Sequence, residues 1–333
     1  MRPNTFKALL VEEKNDGHFT KQVQEVPISI LPDHDVLVQV HYSDLNYKDG
    51  LSASGNKGVT RTYPHIPGVD ASGVVVEDRS GTFTPGQEVV VTGYDMGQDT
   101  DGGFGQYISV PAEWVVPLPA PLTLFDTMVL GTPGFTAAYG VYRLLELNVP
   151  KDKGPVVVTG ATGGVGYLAV HFLAKEGYEV VASTGKMEQT DFLKKMGASD
   201  VIHRDEFTNQ PGRPLLSSRW AAAYDTVGGK TLDVLIRQVG HNGTIVCCGN
   251  IGGHTIESSI YPFILRGISL LGVDSSNTLM PKRMKIWEMM AGYYSDVLRA
   301  SAKTISLQEL PSAIDEVLAG NRVGSVVLKH DID

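Results

Sequence analysis

Thr159-Gly160-Ala161-Thr162-Gly163-Gly164-Val165-Gly166 is the stretch that most narrows what this chain can fold into. It follows a β-branched run at 155–159 and opens a helical pattern that runs from about 164 to 176. Glycines at these places let the backbone turn tightly, let an anionic group approach the main chain and let the helix pack close to the strand. The helix start adds unbonded N–H groups that favour an anion. Strand, glycine turn and helix in this order predict a pyrophosphate-binding turn of the dinucleotide type.

The surroundings strengthen that reading. Buried-strand and helix patterns alternate onward through 179–183, 189–196, 200–203, 221–225, 231–239, 244–248 and 268–273, with Gly177 and Gly197 where helix-ending glycines belong. Such alternation predicts an α/β, doubly wound parallel sheet. Upstream of Pro121 the rhythm differs: short β-branched runs at 36–40, 73–76, 88–91 and 106–110 are separated by Gly, Pro and Asp. That part reads as a β-rich module. Thr84-Pro85-Gly86-Gln87 is a turn feeding its third run. Helical patterns at 283–293 and 310–318 and a strand at 325–329 form a tail too long to be the end of the sheet.

Length and charge set outer limits. A chain of 333 residues favours two domains over one, and 42% hydrophobic with 20% charged residues marks a globular protein. A net charge of −9 disfavours nonspecific capture of nucleic acid or of an acidic membrane surface. The uncharged stretch 154–174 has spanning length, but its five glycines and the break at Thr159-Gly160 make it a strand followed by a helix. Two adjacent cysteines, Cys247 and Cys248, give no disulfide framework and fit a reducing cytoplasm; Met1 to Lys7 has no apolar secretory core.

The end of the second strand of the alternating region discriminates between dinucleotides. An acid there would accept from the ribose 2′-OH and repel a 2′-phosphate. The chain has Ala182-Ser183-Thr184-Gly185-Lys186 instead, two hydroxyls and a cation, with Arg204 just past the third strand. The expected cofactor is NADPH, with Ser183, Thr184, Lys186 and Arg204 around the phosphate. Ala161, Thr162, Gly163, Gly164, Val165 and Gly166 form the pyrophosphate turn.

End to end, the chain resembles the zinc-free quinone oxidoreductase branch of the medium-chain dehydrogenase/reductase superfamily, and within it the bacterial acryloyl-CoA reductase and quinone oxidoreductase subfamily. The resemblance is carried by Asn46-Tyr47-Lys48-Asp49, Pro67-Gly68-Val69-Asp70-Ala71-Ser72-Gly73, Gly131-Thr132-Pro133-Gly134-Phe135-Thr136-Ala137, the 160–166 turn and Tyr261-Pro262-Phe263-Ile264-Leu265-Arg266-Gly267. It implies a GroES-like catalytic domain from 1–122 with a Rossmann domain at 123–295 and a return to the catalytic domain at 296–333. It also implies a nicotinamide between the domains, near Thr136 and the segments holding Gly249, Asn250, Phe263 and Ile264. Asn321 and Arg322 match a tail position that reaches the cofactor, and family members are often homodimers.

Zinc-dependent relatives hold metal through a Cys in the segment here read as Ser43 to Asp49 and through Gly-His-Glu, here Gly68-Val69-Asp70. Both ligands are missing, and Asp95 to Phe104 contains no cysteine for a structural zinc. The implied chemistry is metal-independent, with substrate polarised by hydrogen bonds from Asn46 or Tyr47 while Tyr47 is also a proton-donor candidate. Asp49 and Asp70 complete the expected catalytic set, as loop holders or pocket walls. Lys48 either faces an anionic substrate or pairs with one of these acids. The resemblance implies reduction of an activated C=C bond, with acryloyl-CoA the suggested substrate; the alternatives are quinone reduction and a non-catalytic nucleotide-holding protein.

Overall fold

The computed structural model describes residues 2–15, 17–208, 210–320 and 322–332. Its elements run β1 (Thr5–Glu13), β2 (Phe19–Pro27), β3 (Val36–Asp44), α1 (Tyr47–Ala53), β4 (Asp70–Asp78), β5 (Glu88–Thr92), β6 (Tyr107–Val110), β7 (Val115–Pro117) and α2 (Leu124–Glu146). They continue as β8 (Val156–Val158), α3 (Gly164–Lys175), β9 (Val180–Thr184), α4 (Thr190–Met196), β10 (Asp200–His203), β11 (Trp220–Asp225), α5 (Gly229–Gln238), β12 (Val239–Cys247), α6 (Tyr261–Arg266) and β13 (Ser269–Gly272). The tail holds α7 (Met280–Tyr293), α8 (Asp296–Ala300), β14 (Lys303–Ser306), α9 (Leu310–Leu318) and β15 (Val326–Lys329).

Two compact units result. The first comprises 1–132, 276–292 and 298–333; the second comprises 133–275 and 293–297. This division falls about one helical stretch later than the expected boundary at 122, and it moves 276–292 out of the nucleotide-binding region. The reason lies in side-chain bonds: Thr132 is tied to Asp70, and buried Arg283 of α7 donates to the Thr92 carbonyl at the end of β5 (2.8 Å).

In the first unit β14, β15, β3, β4, β5 and β7 are neighbours in one sheet, with β6 also paired to β3, while β1 and β2 form a hairpin of their own. β15 lies antiparallel to β3, Leu328 facing Ser43, so the tail does return to the first module. α9 follows for a simple reason. Leu310, Ala313, Ile314 and Val317 recur at helical spacing, are buried, and pack into the cluster that contains Leu9, Leu45 and Ile66. Full burial of a large aliphatic side chain contributes roughly 1.5–3 kcal/mol, so this stripe anchors the tail.

The second unit is a parallel sheet ordered β10-β9-β8-β11-β12-β13 among the described residues. Chain order starts at β8, runs outward through β9 and β10, then restarts beside β8 with β11: the doubly wound Rossmann order, whose switch point lies between β8 and β11. Val156, Val157 and Val158 are all buried, as a central parallel strand covered on both faces requires. The uncharged stretch 154–174 is thus strand, turn and helix, and no helix among the described residues is long and apolar enough to cross a membrane.

Candidate functional site

In the second unit the glycine turn leaves β8 at the switch point. Thr159 hydroxyl donates to Asp225 Oδ1 at the end of β11 (2.6 Å), and Ala161 N–H donates to the Ser183 carbonyl of β9 (3.0 Å). These bonds hold the turn across three strand ends. α3 then starts at Gly164 behind Gly163, whose side-chain position offers no cap, so the first N–H groups stay available to an anion. A Cβ on Gly166 would overlap the Gly160 carbonyl and stand 2.8 Å from Ala161 Cα; only glycine lets the helix come this close.

The strand-end residues converge on the same edge. Thr162 and Thr184 share a hydroxyl hydrogen bond (3.1 Å), and Lys186 N–H donates to Thr184 Oγ1 (3.0 Å). β10 runs beside β9 with His203 opposite Thr184, which delivers Arg204 to the neighbouring position. A Cβ on Gly185 would lie 2.8 Å from Arg204 Nε, so the guanidinium lies against this glycine. Ser183 and Thr184 are buried, Lys186 is half-buried and Arg204 is exposed. Ala161 to Gly166, Ser183, Thr184, Lys186 and Arg204 are therefore gathered along one edge of this unit, and no acid occupies positions 182–186.

Other expected cofactor residues are spread along the same unit. Thr136 hydroxyl donates to Ser275 Oγ (2.9 Å), and its carbonyl accepts from the buried Tyr224 hydroxyl (2.7 Å). Gly249 stands against Thr226, where any Cβ would overlap the Thr226 carbonyl, and Asn250 is exposed beside it. On α6, Phe263 is half-buried against the sheet core and Ile264 is exposed. Asn321 lies outside the described residues. Sequence reading missed Tyr224, Asp225, Thr226 and Ser275; Asp225, ending a strand just before Thr226-Val227-Gly228-Gly229, was the one with a visible signal.

The first unit holds the Asn46 loop. Asn46 N–H donates to Asp49 Oδ2 (2.7 Å), and Val69 N–H donates to Asp49 Oδ1 (2.9 Å), so Asp49 caps α1 and ties it to the start of β4. Asn46 Nδ2 donates to Asp70 Oδ2 (2.8 Å). Asp70 also accepts from Thr132 N–H (2.9 Å) and Thr132 hydroxyl (2.7 Å). Thr132 can turn its N–H toward Asp70 because α2 is broken at Gly131 (φ 52°, ψ −160°), with Pro133 placed at the restart where no N–H is needed. Positive φ and proximity both demand glycine there: a Cβ would stand 2.7 Å from Asp44 Oδ2 and 3.0 Å from Asp70 Oδ2.

Three carboxyl groups are thus buried together. Burial pushes Asp49 up to about 7 and Asp70 up to about 6, against the hydrogen bonds that favour their charged forms. Asp44 is held well above the usual carboxylate range, first by burial, with the Arg322 guanidinium working in the opposite direction. Arg322 Nη2 lies 3.3 Å from Asp44 Oδ1. Asn46 is 8% exposed and Tyr47 46%, so the amide has a narrow opening and the phenol a wide one; Lys48 is half-buried. Among the described residues no three His, Cys, Asp or Glu side chains are grouped as a metal site. Asp44, Gly131 and Thr132 carry no local sequence signal for these partnerships.

The alcohol dehydrogenase GroES-like domain model matches 32–120, and the zinc-binding dehydrogenase model matches 164–291. The "Putative quinone oxidoreductase YhfP" of Bacillus subtilis (strain 168) is 42% identical over 328 residues, 98% of this chain and 99% of that one. The chain belongs to the medium-chain dehydrogenase/reductase superfamily. Another member, "Acrylyl-CoA reductase AcuI" of Ruegeria pomeroyi, is 38% identical over 325 residues, 97% of this chain and 98% of that one. Solved superfamily structures agree in fold. The Salmonella enterica yhdH oxidoreductase in complex with NADP superposes with TM-score 0.93 at 38% identity, covering 97% of this chain and 99% of that one. The Bacillus subtilis protein yhfP with NAD bound gives TM-score 0.95 at 42% identity, covering 98% and 100%.

Proposed function

We propose that the chain is an NADPH-dependent, metal-independent reductase of activated C=C bonds, with acryloyl-CoA reduced to propionyl-CoA. The observation that carries it is the strand-end edge of the second unit: an uncapped glycine turn with Thr184, Lys186 and the Arg204 guanidinium against Gly185. Those residues fit a dinucleotide with a 2′-phosphate. Relatives have been solved with NADP and with NAD, and the missing acid at 182–186 favours the phosphorylated form here. The thioester rests on likeness to the acrylyl-CoA reductase.

NADPH, when bound, supplies a hydride. Ala161 to Gly166 would hold its pyrophosphate, and Ser183, Thr184, Lys186 and Arg204 its 2′-phosphate. Thr136, Gly249, Asn250, Phe263 and Ile264 would line the nicotinamide side. Asn46 has two amide N–H bonds, and with one committed to Asp70 the other can donate to the oxygen that gains enolate charge as the β-carbon takes hydride. Tyr47 is the exposed donor for the α-carbon proton. Asp49 and Asp70, fully buried with bonded oxygens, act as positioning residues and do not touch substrate.

A quinone reductase reading is favoured by the name of the Bacillus subtilis relative. NADPH oxidation against acryloyl-CoA, crotonyl-CoA, simple enones and quinones separates the two: turnover of acryloyl-CoA to propionyl-CoA supports ours, and turnover of quinones alone removes it. We propose also a cytoplasmic homodimer. Cys247 and Cys248 form no disulfide, and β13, the sheet edge, is only half covered near exposed Ile260, Tyr261, Ile264 and Leu265. Light scattering that returned the mass of one chain would oppose the dimer.

A further inference from the structure

Arg322 was expected to reach the cofactor, yet its guanidinium is engaged inside the first unit. Nε donates to the Gly324 carbonyl (2.7 Å), Nη1 donates to the Leu45 carbonyl, and Nη2 faces Asp44 Oδ1 (3.3 Å). The Leu45 carbonyl belongs to the same peptide group as Asn46 N–H. That peptide plane is therefore clamped at both ends, by Arg322 on oxygen and by Asp49 Oδ2 on nitrogen (2.7 Å). Its orientation sets where the Asn46 side chain leaves the backbone, and the amide then meets Asp70 Oδ2 at 2.8 Å.

We infer that Arg322 is a positioning residue for Asn46. A guanidinium suits this task because its planar fork can donate to a carbonyl and a carboxyl oxygen at once, whereas a Lys ammonium offers one point charge. The side chain is mostly buried beside fully buried Asp44, so the same fork also meets a carboxyl group that has no contact with water. Tail and loop meet at a second point as well, since Leu45 N–H donates to the Val326 carbonyl (3.0 Å). Arg322 completes that junction by fixing the other side of Leu45.

This inference rests on the reading of Asn46 as the donor to the substrate oxygen, and the test separates the two. Arg322→Ala, Arg322→Lys, Asn46→Ala and the double variant Arg322→Ala/Asn46→Ala are assayed with acryloyl-CoA at saturating NADPH. NADPH dissociation constants are measured by fluorescence titration. Each Arg322 variant should lower kcat by about tenfold with the NADPH constant held within about twofold, and Arg322→Ala should add less than about twofold in the Asn46→Ala background, because coupled residues are non-additive. Arg322→Lys keeps a positive charge beside Asp44 and carries the comparison if Arg322→Ala does not fold. Multiplying effects in the double variant, or weakened NADPH binding with kcat retained, would overturn the inference. An unchanged kcat in Asn46→Ala alone would instead overturn the Asn46 reading, and this inference with it.

Discussion

The nucleotide edge of the second unit and the Asn46 loop of the first are built on different physical principles. The edge is made of backbone: a turn whose shape is dictated by glycines, an uncapped helix start, and short side chains at consecutive strand ends. The loop is made largely of side chains brought from 44–49, 70, 132 and 322 around the break at Gly131, and it depends on burying three carboxyl groups close to one another. A substitution at the edge should therefore change which dinucleotide binds. One in the loop should change how fast bound substrate reacts.

The largest effect that this contrast predicts falls in the loop. Asn46→Ala should reduce kcat by about 10²-fold, the scale of losing one oxyanion donor, and leave NADPH binding unchanged. Steady-state kinetics beside a cofactor titration checks both halves. A loss confined to NADPH affinity would erase the division of labour between the two regions.

An intermediate effect falls on the edge. Lys186→Ala should weaken NADPH by about tenfold, roughly 1.4 kcal/mol, and leave NADH alone. Fluorescence titration with both dinucleotides reads it directly, and equal losses for the two would mean that Lys186 shapes the turn instead of contacting the phosphate.

The same contrast explains what was legible in the sequence. The edge lies in short contiguous motifs, so 160–166 and 183–186 stand out in the sequence, and Arg204 was named from its place just past the third strand, where the register sets His203 opposite Thr184. β1 and β2 were not anticipated, and neither was α2, whose pattern is interrupted by Gly131 and Pro133. Asn46, Asp49 and Asp70 were found through resemblance, but their bonds to one another were not. Asp44 meets Arg322 across 278 positions, and no local pattern encodes that distance.

The smallest effect concerns stability and pH. Asp44 is held well above the usual carboxylate range by burial, so the folded chain keeps a proton that the unfolded chain releases above about pH 4. The unfolded state then binds fewer protons, and Asp44 lowers stability progressively as pH rises. His330, held down to about 4 by burial, works in the other direction below its ordinary value, but it is common to both proteins in a comparison with Asp44→Asn. The melting midpoint of Asp44→Asn relative to the parent should rise by a few degrees between about pH 5 and about pH 8. A flat or falling difference would show Asp44 ionised throughout.

The division of labour itself is tested most directly by isotope placement. With 4-deuterated NADPH of the transferring face in ordinary water, and separately with ordinary NADPH in deuterated water, acryloyl-CoA is turned over and the propionyl product is read by NMR. Cofactor deuterium should appear at the β-carbon and solvent deuterium at the α-carbon, the pattern of hydride delivery from the nucleotide edge and enolate protonation at the loop. Acryloyl-CoA left unreduced while a quinone consumes NADPH, or cofactor deuterium at the α-carbon, would contradict it.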